Sequence, residues 1–468
     1  MAYQKSDYLI VVMKSVKADG AKGVTNQCFP KRSTSNTGGY GNVEQELKGI
    51  GYQSKTYKKL ETLMNRVNES SIKEEHRKQI QNKAVGIDGV SKMEYGEKLD
   101  ENVLELIVRM KKFSYKPQAV RRTYIPKANG KMRPLGIPAY EDRLVQSVMA
   151  GILNEIYEER FLDCSYGFRP DRNAHMVVRE INQNIMIRKV NYVLEADIAG
   201  FFDNVNHDWL MKFLENDIAD KNFLRYVKRF LTAGVMEGAE KQESEKGTPQ
   251  GGQISPLLAN VYLHYVLDLW YEKVIRTRCK GEVYYVRYAD DFLLMFQYEN
   301  EAREVLEALK GRLNKFGLEV AEEKTRILPF GRFRGTKEDF DFLGFTFFNT
   351  KTRDGKFRLG VRTSKKKLKA KKQVVKAWLK TRLTEPITNT MKLIQLSLAG
   401  HFNYYGVSGN FHMIQNFWKY VRYSCYRMLN RRHQKRSMKH STYTRIWDYY
   451  VKEPSLTKDI WNWNPKLI

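Results

Sequence analysis

The sequence has few cysteines. Its 468 residues include four, which lie far apart at Cys28, Cys164, Cys279 and Cys425. No two of them form a Cys-x-x-Cys pair, so neither a disulfide framework nor a zinc ribbon is indicated. This cysteine usage fits a reducing compartment, and we expect a cytoplasmic location.

Long apolar runs are also missing. A membrane-spanning helix needs about 18 or more consecutive apolar residues, and no stretch of this sequence reaches that length. The apolar run at residues 8–13 is short, ends at Lys14 and is not followed by a small-residue cleavage site. The sequence therefore predicts neither a membrane protein nor a signal peptide.

The sequence has fewer acidic than basic residues. Lysine and arginine number 81 against 53 aspartates and glutamates, which gives a formal net charge of +28. Such an excess predicts a polyanionic partner, most simply nucleic acid. A membrane surface is the competing interpretation, but the sequence shows no amphipathic helix set apart by a linker.

Two adjacent carboxylates lie between two apolar runs of the chain. Asp290 and Asp291 lie between β-favouring runs at residues 283–286 and 292–296, which predict two short buried strands joined at the aspartates. Like charges side by side repel, and their burial is costly unless a cation compensates. Mg²⁺ suits this role because it takes oxygen ligands and tolerates carboxylates together with phosphates. A solvated hairpin tip is the alternative for a bare Asp-Asp pair.

A third carboxylate follows another predicted strand. The β-favouring run at residues 192–196 ends at Asp197, and Asn206 offers an N-cap for the helix after it. We expect Asp197, at a strand end, to complete a metal site with Asp290 and Asp291.

A basic hairpin is predicted at residues 121–138, with its turn at Asn129-Gly130. Lys127 and Arg133 flank the turn symmetrically, so both could point at one polyanion. Arginine suits phosphate oxygens through its bidentate fork, and lysine acts as a point charge. A solvated basic hairpin is the alternative.

A polar, glycine-bearing loop is predicted at residues 247–256, before a helix that begins near Pro256. Gly251 and Gly252 would let the main chain approach a ligand closely. A plain helix-entry loop explains the same residues equally well.

Three helices are predicted in the C-terminal part, at residues 365–383, 386–405 and 411–428. The third repeats apolar residues at alternating spacings of three and four, which predicts one buried stripe: Phe411, Ile414, Trp418, Val421, Cys425 and Met428. The outward faces are basic, notably at residues 365–367 and 431–432. Most charge runs are solvated faces, which is the alternative here to a surface that binds nucleic acid.

Taken in order, these motifs resemble those of reverse transcriptases encoded by group II introns. The resemblance runs from about residue 84 to 348 and continues more weakly to the C-terminus. Its motifs are the basic hairpin, Asp197 with Phe201-Phe202, Gly247-Thr248-Pro249-Gln250-Gly251-Gly252, Tyr288-Ala289-Asp290-Asp291, Gly317-Leu318-Glu319-Val320 with Lys324, and Phe342-Leu343-Gly344-Phe345.

The resemblance implies an α+β right-hand polymerase. Fingers would occupy residues 55–190, and a palm with an antiparallel sheet residues 191–350. An all-α thumb, the X or maturase domain, would occupy residues 351–468. Residues 1–54 match nothing in the family and are expected to be an N-terminal extension that is a candidate for disorder.

The resemblance also assigns roles to individual residues. Two Mg²⁺ ions, with Mn²⁺ as a substitute, would be held by Asp197, Ile198, Asp290 and Asp291. The catalytic set is Asp197, Asp290, Asp291 and Lys324, and the substrate-binding set is Lys127, Arg133, Phe202, Gln250, Gly251 and Gly252.

Within these sets, Lys127 and Arg133 would neutralise the triphosphate, and Phe202 would crowd a ribose 2′-hydroxyl. Gln250 and the two glycines after it would pack on the nucleotide and the template base. Lys324 would protonate the pyrophosphate leaving group, although it could equally be an ordinary surface lysine.

The implied function is RNA-directed DNA synthesis from intron RNA, together with binding of that RNA to assist splicing. The partners would be an RNA template with a DNA primer, deoxynucleotides and group II intron RNA, with no membrane and no dimer indicated. Two alternatives stay open: a maturase whose polymerisation is secondary, and a free-standing reverse transcriptase recruited to defence or diversity generation. The tail after Arg432 has no cysteine, so no zinc-dependent endonuclease is expected.

Overall fold

The computed structural model describes residues 41–126, 132–237, 240–242, 246–248, 251–432 and 438–461. Within them the fold is mixed α/β with largely antiparallel sheets, as the sequence predicts. None of the helices in these ranges is both long and apolar enough to cross a membrane.

The first part of the chain is helical. Its elements are α1 (Gly41–Thr56), a 3₁₀ turn (Leu63–Arg66), α2 (Glu69–Lys78), α3 (Lys92–Glu97) and α4 (Leu99–Lys111). Capping boxes begin α2 and α3, because the side chains of Asn68 and Ser91 each accept a main-chain N–H three residues later.

A basic hairpin follows, and the predicted strands are confirmed. β1 (Val120–Pro126) and β2 (Met132–Ile137) pair antiparallel, with Arg121 opposite Ile137 and Pro126 opposite Met132. The predicted turn at Asn129-Gly130 and the candidate ligand Lys127 lie outside the described residues.

The central part of the chain alternates helices and strands. Its elements are α5 (Tyr140–Glu158), α6 (Ala174–Ile187), β3 (Tyr192–Ala196), α7 (Phe201–Asn204), α8 (His207–Asp217), α9 (Lys221–Leu231), β4 (Val235–Glu237), β5 (Glu240–Gln242), α10 (Ser255–Leu263), two π-helical segments (His264–Asp268 and Tyr271–Ile275), α11 (Arg276–Arg278), β6 (Val283–Tyr288), β7 (Asp291–Phe296), α12 (Glu299–Lys315), a 3₁₀ turn (Glu322–Lys324) and β8 (Arg326–Pro329).

The chain ends in a small sheet and a helical group. Their elements are β9 (Asp339–Phe342), β10 (Phe345–Lys351), β11 (Phe357–Thr363), α13 (Lys365–Lys380), α14 (Ile387–Tyr405), α15 (Phe411–Asn430) and α16 (His440–Tyr450).

The strands form three sheets. The first has the order β2-β1-β4-β5, in which β1 and β4 are parallel. The second, called the central sheet below, has the order β6-β7-β3-β8 and is antiparallel throughout. The third has the order β11-β10-β9.

The central sheet is buried on both faces. Leu194 and Leu294 belong to one apolar core, which includes α5, α8 and α10, whereas Val193 and Leu293 belong to a second core with α6 and the C-terminal helices. Successive side chains of a strand point to opposite faces, so each apolar run supplies both cores.

Helix α1 lies mostly inside the segment expected to be a disordered extension. The Ser54 hydroxyl donates to the Ile156 carbonyl at 2.9 Å, Lys55 Nζ lies 3.0 Å from Glu159 Oε2, and Ile50 is buried. These contacts fix α1 on α5, so the expectation of disorder does not hold for residues 41–54.

Two features differ from the predicted C-terminal domain. The segment from residue 351 onwards is expected to be all-α. Instead it begins with β11, which pairs with β10 along its whole length and extends the third sheet to Thr363. The predicted stripe on α15 is buried except for Phe411, which is 41% exposed at the helix start. The structure also adds α16, whose Trp447 packs on Trp418 of α15.

Candidate active site at the edge of the central sheet

The two adjacent aspartates lie where β6 turns into β7. Tyr288 is the last residue of β6 and pairs with Asp291, the first residue of β7. Ala289 and Asp290 therefore form a two-residue turn, and Ala289 has a φ of 58°. Tight hairpin turns of this length use positive φ because their twist matches that of the strands.

Strand register brings Asp197 to the same edge. Ala196 of β3 pairs with Phe292 of β7. Because the strands are antiparallel, Asp197, the residue after Ala196, is set across from Asp291, the residue before Phe292. Opposite residues in antiparallel strands share a face and have Cβ atoms roughly 4.5–5.5 Å apart. Asp197, which is distant in sequence from the adjacent Asp290 and Asp291, thus lies beside that pair at the end of two neighbouring strands.

The local electrostatics follow from this proximity. Burial and the negative charges of Asp290 and Asp197 together raise the pKa of Asp291 to about 6, while the positive charge of Lys324 acts in the opposite direction. A buried carboxylate beside two others is stabilised by any cation that reaches it.

Lys324 is such a cation. Its Nζ forms an ion pair with Asp197 Oδ2, and the Lys324 side chain is 55% exposed. Hydrogen bonding to Asp197 raises the pKa of Lys324, so the amine carries its proton at neutral pH. The Ala321 N–H donates to the Asp197 carbonyl at 2.8 Å, which holds the turn bearing Lys324 against the end of β3.

The donor set suits a hard divalent ion. Among the residues that the structure describes, no group of three or more histidine, cysteine or acidic side chains is already arranged as a metal cage. Asp197, Asp290 and Asp291 nevertheless offer carboxylate oxygens, which Mg²⁺ prefers. The Ile198 side chain is a buried hydrocarbon with no donor atom, so only its main-chain carbonyl could add a ligand.

Phe202 lies close by in sequence and is fixed through its main chain. The Thr248 N–H donates to the Phe202 carbonyl at 2.8 Å, and the carbonyl of Gly247 is hydrogen-bonded to His207 Nε2 at 2.6 Å. The Phe202 ring is half-buried and packs edge-on against Phe201, with centroids 5.3 Å apart.

The glycine-bearing loop meets the basic hairpin. Gly251 has a φ of +122°, and a Cβ there would overlap the carbonyl oxygen of Gly136 on β2. Only glycine allows this approach. Arg133 lies on the same strand, opposite Ile125, and Gly252 is buried. Gln250, the remaining residue of the substrate-binding set, lies outside the described residues.

Sequence reasoning missed a buried ion pair behind the turn. Arg287 Nε donates to Asp268 Oδ1 at 2.7 Å, and both side chains are fully buried. A charged residue within each of two apolar segments was a visible signal. The pairing was not visible, because it depends on how the two segments pack.

The chain is similar in sequence to known proteins. The family described as Reverse transcriptase (RNA-dependent DNA polymerase) matches residues 125–347, which include all three aspartates. Protein YkfC of Escherichia coli strain K12 is 35% identical over 311 residues, covering 58% of this chain and 78% of that protein.

Two intron-encoded proteins are also similar. The group II intron-encoded protein LtrA of Lactococcus lactis subsp. cremoris is 29% identical over 419 residues, which cover 72% of this chain and 68% of LtrA. The putative COX1/OXI3 intron 1 protein of Saccharomyces cerevisiae is 31% identical over 284 residues, which cover 50% of this chain and 33% of that protein.

Proposed function

Because the chain belongs to the reverse transcriptases encoded by group II introns, we propose that the acidic edge of its central sheet is where a DNA strand is extended on an RNA template. The protein is an RNA-directed DNA polymerase that also serves in intron splicing. The register that sets Asp197 across from Asp291 carries the proposal, because it gathers the carboxylates that nucleotidyl transfer needs.

Divalent ions, Mg²⁺ with Mn²⁺ as a substitute, would be held by Asp197, Asp290 and Asp291, with the Ile198 carbonyl as a further ligand. When bound, such ions neutralise the triphosphate and lower the pKa of the primer 3′-hydroxyl. The raised pKa of Asp291 supports this assignment, because burial, and after it the charge of Asp290, makes the ionised carboxylate unfavourable unless a cation is near.

The chain's own basic side chains act on the triphosphate of the incoming nucleotide and on the pyrophosphate that leaves it. Arg133, with Lys127 from the same hairpin, binds and neutralises the triphosphate of the incoming nucleotide. Lys324 carries a proton at neutral pH beside Asp197. Its exposed Nζ can therefore donate that proton to the departing pyrophosphate.

Phe202 selects the sugar of the incoming nucleotide. Its main chain is tied to Thr248, so the ring cannot retreat easily from a ribose 2′-hydroxyl. Gly251 and Gly252, with Gln250, bring the loop main chain against the nucleotide and template base. The close approach of this loop to β2 supports a shared pocket with Arg133.

The domain layout is that of a right hand, with fingers at residues 55–190, a palm at 191–350 and a thumb beyond. To assist splicing, the thumb binds intron RNA at Lys365, Lys366 and Lys369 of α13, which are exposed. An A-form duplex is bound through phosphates and 2′-hydroxyls, which such lysines reach without reading sequence.

Primer extension by the Asp290→Ala variant tests the proposal. We expect synthesis on an RNA template to fall by about 10³-fold, with the melting temperature and the affinity for RNA unchanged. Asp208→Ala, which removes an exposed carboxylate at the start of α8, is the matched control and should extend primers normally. Wild-type synthesis by Asp290→Ala would refute the assignment of this edge.

The same variant separates the two activities. Retained splicing assistance in Asp290→Ala, together with its loss in thumb lysine variants, would place RNA maturation on the thumb. Loss of splicing in Asp290→Ala would instead mean that the acidic edge contributes to both activities.

A further inference from the structure

The turn that carries Asp290 is held by a side chain that lies entirely inside the protein. Arg287 of β6 is fully buried. Its guanidinium has five N–H donors, and each has an acceptor. These acceptors are Asp268 Oδ1 and Oδ2, Asn260 Oδ1, Ser165 Oγ and the carbonyl oxygen of Ala289.

One of these bonds reaches the turn itself. Arg287 Nη1 donates to the Ala289 carbonyl at 3.0 Å, and Ala289 is a non-glycine residue in the left-handed region. Such a backbone conformation is unfavourable and persists only where surrounding groups hold it. Arg287 supplies one of those groups at the residue that directly precedes Asp290.

The loop before α6 closes on the turn from the other side. The Arg287 N–H donates to the Cys164 carbonyl at 2.8 Å, and a Cβ at Gly167 would overlap the main-chain nitrogen of Ala289. Asn260 Nδ2 donates to the Gly167 carbonyl at 2.6 Å, while its Oδ1 accepts from Arg287. One amide thus ties the guanidinium to the loop that packs on the turn.

Asp268 reaches Arg287 because the helix changes pitch. Asn260 lies on α10, and Asp268 ends the π-helical segment His264–Asp268. In a continuous α-helix, residues eight positions apart would be rotated by about 80° from each other. The wider π turn reduces that offset, so both side chains face the same guanidinium. Single π turns of this kind are frequent at functional sites.

We propose that Arg287 is a positioning residue for strand extension. Its guanidinium, held by Asp268 and Asn260, fixes the main chain at Ala289 and thereby the direction of the Asp290 carboxylate. The inference rests on the proposed role of Asp290, through which Arg287 acts, since Arg287 itself is enclosed in the core.

Two variants separate positioning from stability. Arg287→Lys keeps the charge but replaces the planar fork by a single ammonium. The double variant Arg287→Met, Asp268→Leu removes both charges, and such replacements of buried ion pairs often restore stability. In both, we expect the maximal extension rate to fall on the order of 10²-fold. The dissociation constant for primer–template and the KM for deoxynucleotide should stay near the wild-type values.

A matched control uses a second Arg–Asp pair. Arg160 pairs with Asp217, and its other hydrogen bonds go to Ser54 and to the main chain after α1, away from the turn. Arg160→Met should lower the melting temperature without lowering the extension rate at a temperature where the variant is folded. A positioning role requires a rate loss in Arg287→Lys well beyond that of Arg160→Met.

The outcomes are distinct. The inference is wrong if the double variant has both the melting temperature and the extension rate of the wild type. It is also wrong if the extension rate falls no further in Arg287→Lys than in Arg160→Met. In either case Arg287 only stabilises the fold. An inactive Asp290→Ala beside a fully active Arg287→Lys removes this inference alone. A fully active Asp290→Ala removes the proposed function and this inference together.

Discussion

Lys324 Nζ forms an ion pair with Asp197 Oδ2 at the edge of the central sheet. The two residues come from different elements: Asp197 follows β3, whereas Lys324 ends a 3₁₀ turn before β8. β3 and β8 are neighbours in the sheet, which brings the two side chains together. The ammonium therefore competes with any divalent ion for the Asp197 carboxylate.

Lys324→Met should raise the affinity of the nucleotide-free protein for Mn²⁺. The gain should reach about fivefold at most, since a partly exposed ion pair contributes roughly 1 kcal/mol or less. The extension rate should fall by about 10²-fold because the proton donor is lost. Calorimetric titration with Mn²⁺ alone and single-turnover extension measure the two effects. Lys310→Met, which breaks an exposed pair with Glu307, is the control, and an unchanged Mn²⁺ affinity in Lys324→Met would contradict the competition.

Phe202→Val should relax the choice between sugars. Removing the ring leaves room for a 2′-hydroxyl, so the preference for deoxynucleotides over ribonucleotides should fall by about 10- to 200-fold. The ratio of kcat/KM values for the two nucleotide types measures it. Phe201→Leu alters the neighbouring, fully buried ring and should lower the melting temperature while keeping the preference. Unaltered selection in Phe202→Val would exclude the ring as the selecting group.

Gly251→Ala should raise the KM for deoxynucleotides. The added methyl group would overlap the Gly136 carbonyl and separate the loop from β2. Gly89→Ala is the control, because Gly89 also has a positive φ but open space around it. Steady-state extension on a fixed primer–template compares the two. Equal effects on KM would indicate that backbone strain, rather than the lost approach to β2, is responsible.

Stability should depend on pH through Asp142 in α5. Burial raises the pKa of Asp142 to about 7, although the carboxylate accepts hydrogen bonds from Tyr115 and from the Gln118 N–H. The folded protein therefore binds this proton more tightly than the unfolded chain, whose aspartates have a pKa near 3.9. Between about pH 4 and 7 the contribution of Asp142 to the free energy of unfolding falls as pH rises, by at most about 1.4 kcal/mol per pH unit.

Asp142→Asn tests this sign. The variant should lose stability relative to wild type at pH 4–5 and regain it by pH 8, because asparagine does not titrate. Urea unfolding at several pH values provides the measurement. A difference between the two proteins that stays constant with pH would show that Asp142 does not titrate in this range.

Replacing Lys365, Lys366 and Lys369 by glutamine should weaken RNA binding and its dependence on salt. Each phosphate contact contributes close to one unit to the slope of log affinity against log salt, so the slope should fall by up to about three units. Filter binding to intron RNA at several salt concentrations measures it. Lysine-to-glutamine changes at Lys273 and Lys310, outside the thumb, provide a control, and an equal fall in slope there would point to nonspecific charge.

Local sequence determined much of the architecture. Helix α6 runs from Ala174 to Ile187, and both its N-cap Asn173 and its apolar spacing are local features of the sequence. The strands around Asp290 and Asp291 follow from apolar runs for the same reason. The order of motifs along the chain further identified the family and, with it, the candidate residues.

The tertiary structure decided which distant residues meet. Asp197 and Asp291 lie next to each other only because the strand order is β6-β7-β3-β8. The burial of Arg287 against Asp268 depends on a π turn and on the packing of a helix behind the hairpin. The fit of Gly251 to β2 likewise required the loop and the hairpin to be in place. Periodicity fixes which face of an element is apolar, but the partner of a buried charge is fixed only when packing has excluded water from both groups.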